Sequence, residues 1–354
     1  MGKKIRVIVV DDSALMRKKI GEILNADSDI EVVAFAKDGK EALEAVHALK
    51  PDVVTLDVEM PILNGIETLG YIMSEIPTPC VMISAFTKAG AAETIKALEF
   101  GAIEFVEKPS GVISPDIAKK SREIIEKVKV AANVPASRLK VIMPEKAKEE
   151  RLIVKKAPGI NRLIAIASST GGTQALTSIL PRLRADIPAG IVITQHMPSG
   201  FTKSLAERLN WQSKISVVEA EDRMPIKPGH AILARGGFHL EVAGTADAPH
   251  VLLNDGPPRL NVRPCADIMM ESAARIFGDR TIGVVLTGMG SDGTLGSKAI
   301  KAEGGVVIAE DQDSCVVYGM PKSIIDSRLA DKVLRLDDIP SELEKMVMKN
   351  GTRK

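Results

Sequence analysis

A serine, a histidine and an aspartate that each follow a short apolar run are the residues of this sequence best placed for acyl transfer. The run 163–167 leads into Ser168-Ser169-Thr170-Gly171-Gly172, 190–194 into Gln195-His196-Met197-Pro198, and 281–286 into Thr287-Gly288-Met289-Gly290-Ser291-Asp292-Gly293. A serine hydroxyl is a poor nucleophile until an imidazole takes its proton, and the imidazole needs a carboxylate to fix its tautomer and stabilise the imidazolium. If the runs are parallel strands, their C-terminal ends share one edge, and Ser169, His196 and Asp292 can meet although far apart in the chain. Gly171 and Gly172 permit a tight strand-to-helix turn that leaves backbone N–H groups facing a developing oxyanion.

A second set lies nearer the N-terminus. Asp11 and Asp12 follow the apolar run 6–10, and Asp57 ends the run 53–57. Clustered carboxylates repel one another unless a divalent cation such as Mg²⁺ neutralises them. Ser84 ends a fourth run and Lys108 follows a fifth, so a hydroxyl and an ammonium converge on the same edge. They suit a phosphoryl group, the lysine by charge and the serine by hydrogen bond.

Taken singly, each residue has a plainer explanation. A strand-end aspartate is commonly a helix N-cap, serine and threonine before Gly-Gly a cap and turn, and a lone strand-end histidine a structural hydrogen-bonding group. The coincidence of several such ends argues for sites. Gly288, Gly290 and Gly293 also spell G-x-G-x-x-G after a strand, with Asp311 and Asp313 following, as in dinucleotide binding. That position is too late in its domain for a first strand, and no dehydrogenase constellation accompanies it. The order Ser, His, Asp also differs from the Ser, Asp, His of α/β-hydrolases, which disfavours that family.

The elements that must position these groups follow an α/β rhythm. Runs 6–10, 31–36, 53–57, 80–84 and 104–106 alternate with amphipathic stretches 16–24, 39–48, 65–76 and 90–100. This predicts a flavodoxin-like (βα)5 domain over residues 1–128. A Lys/Glu-rich stretch with prolines, 129–160, reads as a linker, with a short helix allowed at 145–151. The alternation resumes over 161–350, predicting a doubly wound, mostly parallel α/β domain. A strand-dense piece near 228–254 predicts a small antiparallel insertion.

Composition narrows the function. The 354 residues carry 47 basic against 46 acidic side chains and only 3% aromatics, so no nucleic-acid binding is expected. The 45% hydrophobic content supplies aliphatic cores, but no apolar run is long enough to insert into a membrane. Cys80, Cys265 and Cys315 form no paired spacing, so neither a disulfide framework nor a zinc site is expected, and a reducing cytoplasmic location fits.

Val9-Val10-Asp11-Asp12-Ser13, Asp57-Val58-Glu59-Met60-Pro61, Ser84-Ala85 and Lys108-Pro109 resemble a response-regulator receiver domain. The resemblance implies Asp57 as the phosphorylated residue, and Mg²⁺ held by Asp11, Asp12, Asp57 and the Glu59 carbonyl. It further implies support of the phosphoryl group by Ser84 and Lys108, and a cis peptide before Pro109. In the second half, Ser169-Thr170-Gly171-Gly172-Thr173, Gln195-His196-Met197-Pro198, Asp255-Gly256-Pro257-Pro258, Arg263-Pro264, the 287–293 segment and Tyr318-Gly319-Met320-Pro321 resemble chemotaxis protein-glutamate methylesterases, the CheB family.

That resemblance implies Ser169 as nucleophile, His196 as general base, Asp292 as its orienting partner, and backbone N–H groups of Met289 and Thr170 at the oxyanion. It implies no cofactor for the esterase, methyl-accepting chemoreceptors as substrate (glutamate methyl esters, and glutamines for deamidation), and a chemotaxis histidine kinase as phosphodonor. Phosphorylation would activate the hydrolase. Ala167, Val262 and Arg235 depart from the family's frequent glycine, histidine and proline, which bears on substrate fit rather than on the triad. A non-catalytic, phospho-switched receptor adaptor is the alternative from another class, and it needs no reactive serine.

Overall fold

A computed structural model describes residues 3–84, 88–108, 117–139, 141 and 160–348, and the chain divides between Met143 and Pro144 into two compact units. The first unit alternates strands and helices: β1 (Ile5–Val10), α1 (Ala14–Asn25), β2 (Ile30–Ala36), α2 (Gly39–Leu49), β3 (Val53–Asp57), α3 (Gly65–Glu75), β4 (Cys80–Ser84), α4 (Lys88–Glu99), β5 (Glu104–Glu107) and α5 (Ile117–Ala132). All pairings are parallel, in the order β2-β1-β3-β4-β5. β3 and β4 are buried at every position, which is why they read as unbroken apolar runs rather than alternating ones. Short polar residues start the helices: the Ser13 hydroxyl accepts from Met16 N–H, and Asn64 with Glu67 closes a reciprocal capping box.

The chain order reverses between β1 and β3, opening a crevice at their C-terminal ends where Asp11, Asp12 and Asp57 lie. Ordered packing continues past Lys129, where the sequence suggested a linker. Helix α5 reaches Ala132, and Val128, Ala131 and Val134 are all buried. The helix allowed at 145–151, Ala85 and the peptide before Pro109 lie outside the described residues. Among those described, the one cis peptide is Arg263–Pro264.

The second unit comprises β6 (Arg162–Ser168), α6 (Gly172–Ile179), β7 (Ala189–Gln195), α7 (Phe201–Gln212), β8 (Ser216–Glu219), β9 (His230–Leu233), β10 (His239–Thr245), β11 (Ala248–Asn254), α8 (Ala266–Phe277), β12 (Thr281–Val285), α9 (Thr294–Ala302), β13 (Val306–Glu310), α10 (Met320–Asp326), β14 (Lys332–Leu334) and α11 (Ile339–Met348). Seven strands form a parallel sheet in the order β14-β13-β12-β6-β7-β9-β8. The antiparallel insertion is smaller than the strand-dense stretch suggested. Among the described strands, β10 and β11 alone pair that way, while β9 joins the parallel sheet beside β7. Leu240, Val242 and Val251 of the hairpin are buried in a core shared with Met269, Met270 and Ala273 of α8.

Strand β6 sits between β7 and β12, and the chain runs from it first to one side and later to the other. A switch point of this kind leaves room for a ligand above the strand ends.

In the first unit, α3 begins against the end of β3. A β-carbon on Gly65 would lie 2.0 Å from the Asp57 carbonyl oxygen, so no larger residue fits without moving the helix. Gly65→Ala is expected to destabilise the unit by about 1–3 kcal/mol through overpacking, measured by urea unfolding.

Candidate active site

The C-terminal ends of β7, β6 and β12 bring together residues from three parts of the second half. Ser168 pairs with Gln195 in register, so Ser169 and His196 are the next residues on neighbouring strands. The link continues past the sheet, with His196 N–H donating to the Ser168 carbonyl at 3.0 Å. On the other flank Ser169 N–H donates to the Thr287 carbonyl at 3.0 Å. Gly171, with φ of 76°, then turns the chain into α6, a left-handed conformation that glycine adopts without strain.

Thr287 ties this turn to its surroundings. Its N–H donates to the buried Glu310 carboxylate at 2.8 Å. Its hydroxyl donates to the Thr170 carbonyl at 2.9 Å and accepts from Val317 N–H at 2.9 Å. Next to it, the Gly288 carbonyl accepts from both Gly319 and Met320 N–H. The 287–293 and 318–321 segments are thus joined to the serine turn by main-chain contacts.

Asp292 is buried and accepts from His196 Nε2 at 2.7 Å. Oδ2 of the same carboxylate also takes Ala266 N–H at 2.6 Å, while Oδ1 takes Asp267 N–H and Gly293 N–H, both at 2.9 Å, and the Cys265 thiol at 3.1 Å. Burial alone would push this carboxyl up. The His196 hydrogen bond and charge, with the Ala266 and Asp267 amides, outweigh it and hold the group down at about 2. Asp292 is therefore an anion across the whole neutral range.

With Nε2 bonded to the carboxylate, the ring nitrogen left for a serine is Nδ1. Among the described residues the Ser169 hydroxyl makes no hydrogen bond, so the relay is joined at the carboxylate end and open at the serine end. Such bonds commonly tighten only when substrate binds. The N–H groups of Thr170 and Met289 likewise have no acceptor among the described residues. Met289 is about half exposed, and Thr170 is buried.

Cys265, Asp267 and Asp292 place ligand atoms within 4.8 Å of one another. Both Asp292 oxygens already face N–H donors that would repel a cation, so the cluster is a hydrogen-bonded one.

The first unit holds the other set. Lys108 Nζ lies 2.6 Å from Asp57 Oδ2 and 2.9 Å from Asp11 Oδ2. One carboxylate oxygen from each of Asp11, Asp12 and Asp57 falls within 4.8 Å of the others. Asp11 Oδ2 is buried without a hydrogen bond, its closest charge being that lysine. This all-oxygen donor set fits a hard divalent cation. Ser84 is buried at the end of β4, where its carbonyl accepts Lys108 N–H at 2.8 Å. Glu59 has its side chain outward while its N–H points at Asp57 Oδ1, at 3.4 Å. Burial pushes the Asp57 carboxyl up to about 6, opposed by Lys108 and assisted by the neighbouring Asp11 charge.

Comparison with known proteins places the whole chain. The model of the CheB methylesterase family matches residues 164–343. The chain belongs to the CheB methylesterase family. Ahead of that match, the response regulator receiver domain model covers residues 7–114. A Pyrococcus horikoshii protein named protein-glutamate methylesterase/protein-glutamine glutaminase is 48% identical over 352 residues, which are 98% of this chain and 95% of that protein. A Thermotoga maritima protein of the same name is 47% identical over 343 residues, covering 97% and 98%. The crystal structure of the Thermotoga maritima CheB methylesterase catalytic domain superposes with a TM-score of 0.52 at 46% identity, covering 53% of this chain and 99% of that domain. Among the described residues of this family member, no helix is long and apolar enough to cross a membrane.

Sequence reasoning missed Asp267 and Glu310 and gave Cys265 and Thr287 no part in the site. Arg263-Pro264 stood out as a motif, but nothing local in Cys265-Ala266-Asp267 marks it as the lining of a carboxylate more than twenty residues away.

The raised Asp57 carboxyl has a consequence for stability. Its folded value lies above that of an unfolded aspartate, so the folded unit binds the proton more tightly and loses stability as pH rises from about 4 to about 6. Without divalent cation, Asp57→Asn is expected to raise the thermal unfolding midpoint of the receiver at pH 7.5, with the gap closing towards pH 4.

Proposed function

We propose that this chain is a phosphorylation-activated protein-glutamate methylesterase that also deamidates glutamine side chains. Its proposed substrates are methyl-accepting chemoreceptors in the cytoplasm, and its phosphodonor a chemotaxis histidine kinase. The observation carrying the reading is the 2.7 Å His196–Asp292 bond, one residue beyond the strand paired with that of Ser169, in a member of this family.

Ser169 Oγ attacks the side-chain ester carbonyl while His196 Nδ1 takes its proton, and Asp292 steadies the imidazolium through Nε2. The oxyanion forms against the Met289 and Thr170 N–H groups. Collapse of the tetrahedral intermediate passes the proton to the leaving methoxide, which departs as methanol. Water, deprotonated by His196, then hydrolyses the acyl-serine to a free carboxylate. With glutamine as substrate, ammonia leaves in place of methanol by the same steps.

In the receiver, Asp57 is the phosphoryl acceptor. Asp11, Asp12, Asp57 and the Glu59 carbonyl would hold Mg²⁺, which when bound neutralises the clustered carboxylates and the incoming phosphoryl charge. Lys108 and Ser84 face the phosphoryl oxygens, the lysine exchanging its present carboxylate contacts for them.

The test is methanol release from methylated receptor, with and without a small phosphodonor. Ser169→Ala is expected to lower kcat at least ~1000-fold with the fold retained. Asp57→Asn is expected to retain basal turnover and lose the response to phosphodonor, and chelating Mg²⁺ to abolish that response in the wild type. Undiminished methanol release by Ser169→Ala would sink the reading, and normal receptor adaptation in cells carrying that variant would favour a non-catalytic adaptor.

A further inference from the structure

Asp267 is a buried carboxylate at the second unit's edge to which the mechanism assigns no step. It is 1% exposed, at the start of α8. Its N–H donates to Asp292 Oδ1 at 2.9 Å, and its own Oδ1 accepts from Gly296 N–H at 2.8 Å in the first turn of α9. Its Oδ2 is buried with no hydrogen-bond partner among the described residues. One residue thus ties the catalytic carboxylate to the starts of two helices while keeping a bare carboxylate oxygen in the same pocket.

We propose that Asp267 is a positioning residue for the His196–Asp292 pair, clamping Asp292 between α8 and α9 and setting, through its own charge, the pH range in which the pair accepts a proton. The inference rests on the esterase reading above.

Two carboxylates this close do not ionise independently. The protein supplies donors very unequally. Asp292 takes three main-chain N–H groups, a thiol and the imidazole, whereas Asp267 takes one N–H. Asp292 therefore keeps the charge, and Asp267 is the member that carries a proton first. Burial, abetted by the Asp292 charge, pushes the Asp267 carboxyl up to about 6, against the Gly296 amide and the Arg259 guanidinium.

The other groups facing it are few. Arg259 is held in a two-pronged ion pair by Glu271, which damps its charge. Cys265 is a neutral thiol, pushed up to about 12 by burial and by Asp292. His239 reaches the pocket only through the Cys265 N–H it accepts at Nδ1. From α9 comes the Gly296 amide.

The consequence has a definite sign. Ionised Asp267 adds negative charge beside Asp292 and favours the imidazolium of His196, while protonated Asp267 does not. An asparagine there keeps the acceptor for Gly296 N–H and removes the charge, so the base works down to lower pH. Two measurements on the full chain test this. In ¹³C NMR of aspartate-labelled protein, the Asp267 carboxyl should titrate near about 6, and at lower pH in Asp292→Asn. In methanol release by the phosphodonor-activated enzyme, the acid limb of kcat/KM should move down by roughly one pH unit in Asp267→Asn, with KM for receptor unchanged.

A superimposable acid limb, or an Asp267 midpoint indifferent to Asp292→Asn, overturns the proposal and leaves Asp267 as a helix anchor. If the wild type releases no methanol, the esterase reading fails, while the NMR comparison still decides whether the two carboxyls are coupled.

Discussion

The edge of the second sheet depends on keeping one buried charge, Asp292, ionised. A carboxylate with so little access to water is costly unless hydrogen bonds replace its hydration. Here the replacements come mainly from the backbone, at the start of α8 and the turn before α9. Main-chain donors at helix starts carry partial positive charge and cannot rotate away, so the anion is held in place as well as stabilised. The bond to His196 is then free to act on the imidazole's orientation. Using Nε2 for that bond reverses the roles of the two ring nitrogens relative to the chymotrypsin arrangement, where the carboxylate takes Nδ1.

The first unit meets a related difficulty differently. Its acids also gather at a switch point, but a side-chain ammonium, Lys108, is their chief counter-charge. A lysine is long and mobile, and it can follow a change in the charge around it. Fixed amides suit a carboxylate that must stay still. A movable cation suits a site whose charge changes with its state.

Much of this was legible in the sequence. Runs 53–57 and 80–84 reappear as β3 and β4 with the same bounds, because strands buried on both faces leave unbroken apolar stretches. Strand ends followed by Ser169, His196 and Thr287 were visible for the same reason, and parallel pairing brings them to one edge. The lining of Asp292 was not legible. Cys265, Ala266 and Asp267 act through main-chain N–H groups, which every residue type has and which leave no compositional mark. Strand β14 escaped notice because it has three residues, all at least partly exposed at the sheet margin, and so no apolar run. The assignment of β9 to the parallel sheet was equally hidden, since a four-residue run pairs as readily in either direction.

The position of β6 has one more consequence. It has three strands on each side, and its residues from Leu163 to Ser168 are all buried. Proteins open first at their margins and last where packing is densest. The strand leading into Ser169 is therefore among the last parts of the unit to let go, and fraying at β14 or β8 leaves Ser169 where it was. Loss of function on heating is then abrupt, arriving with collapse of the sheet's centre rather than creeping in from its borders.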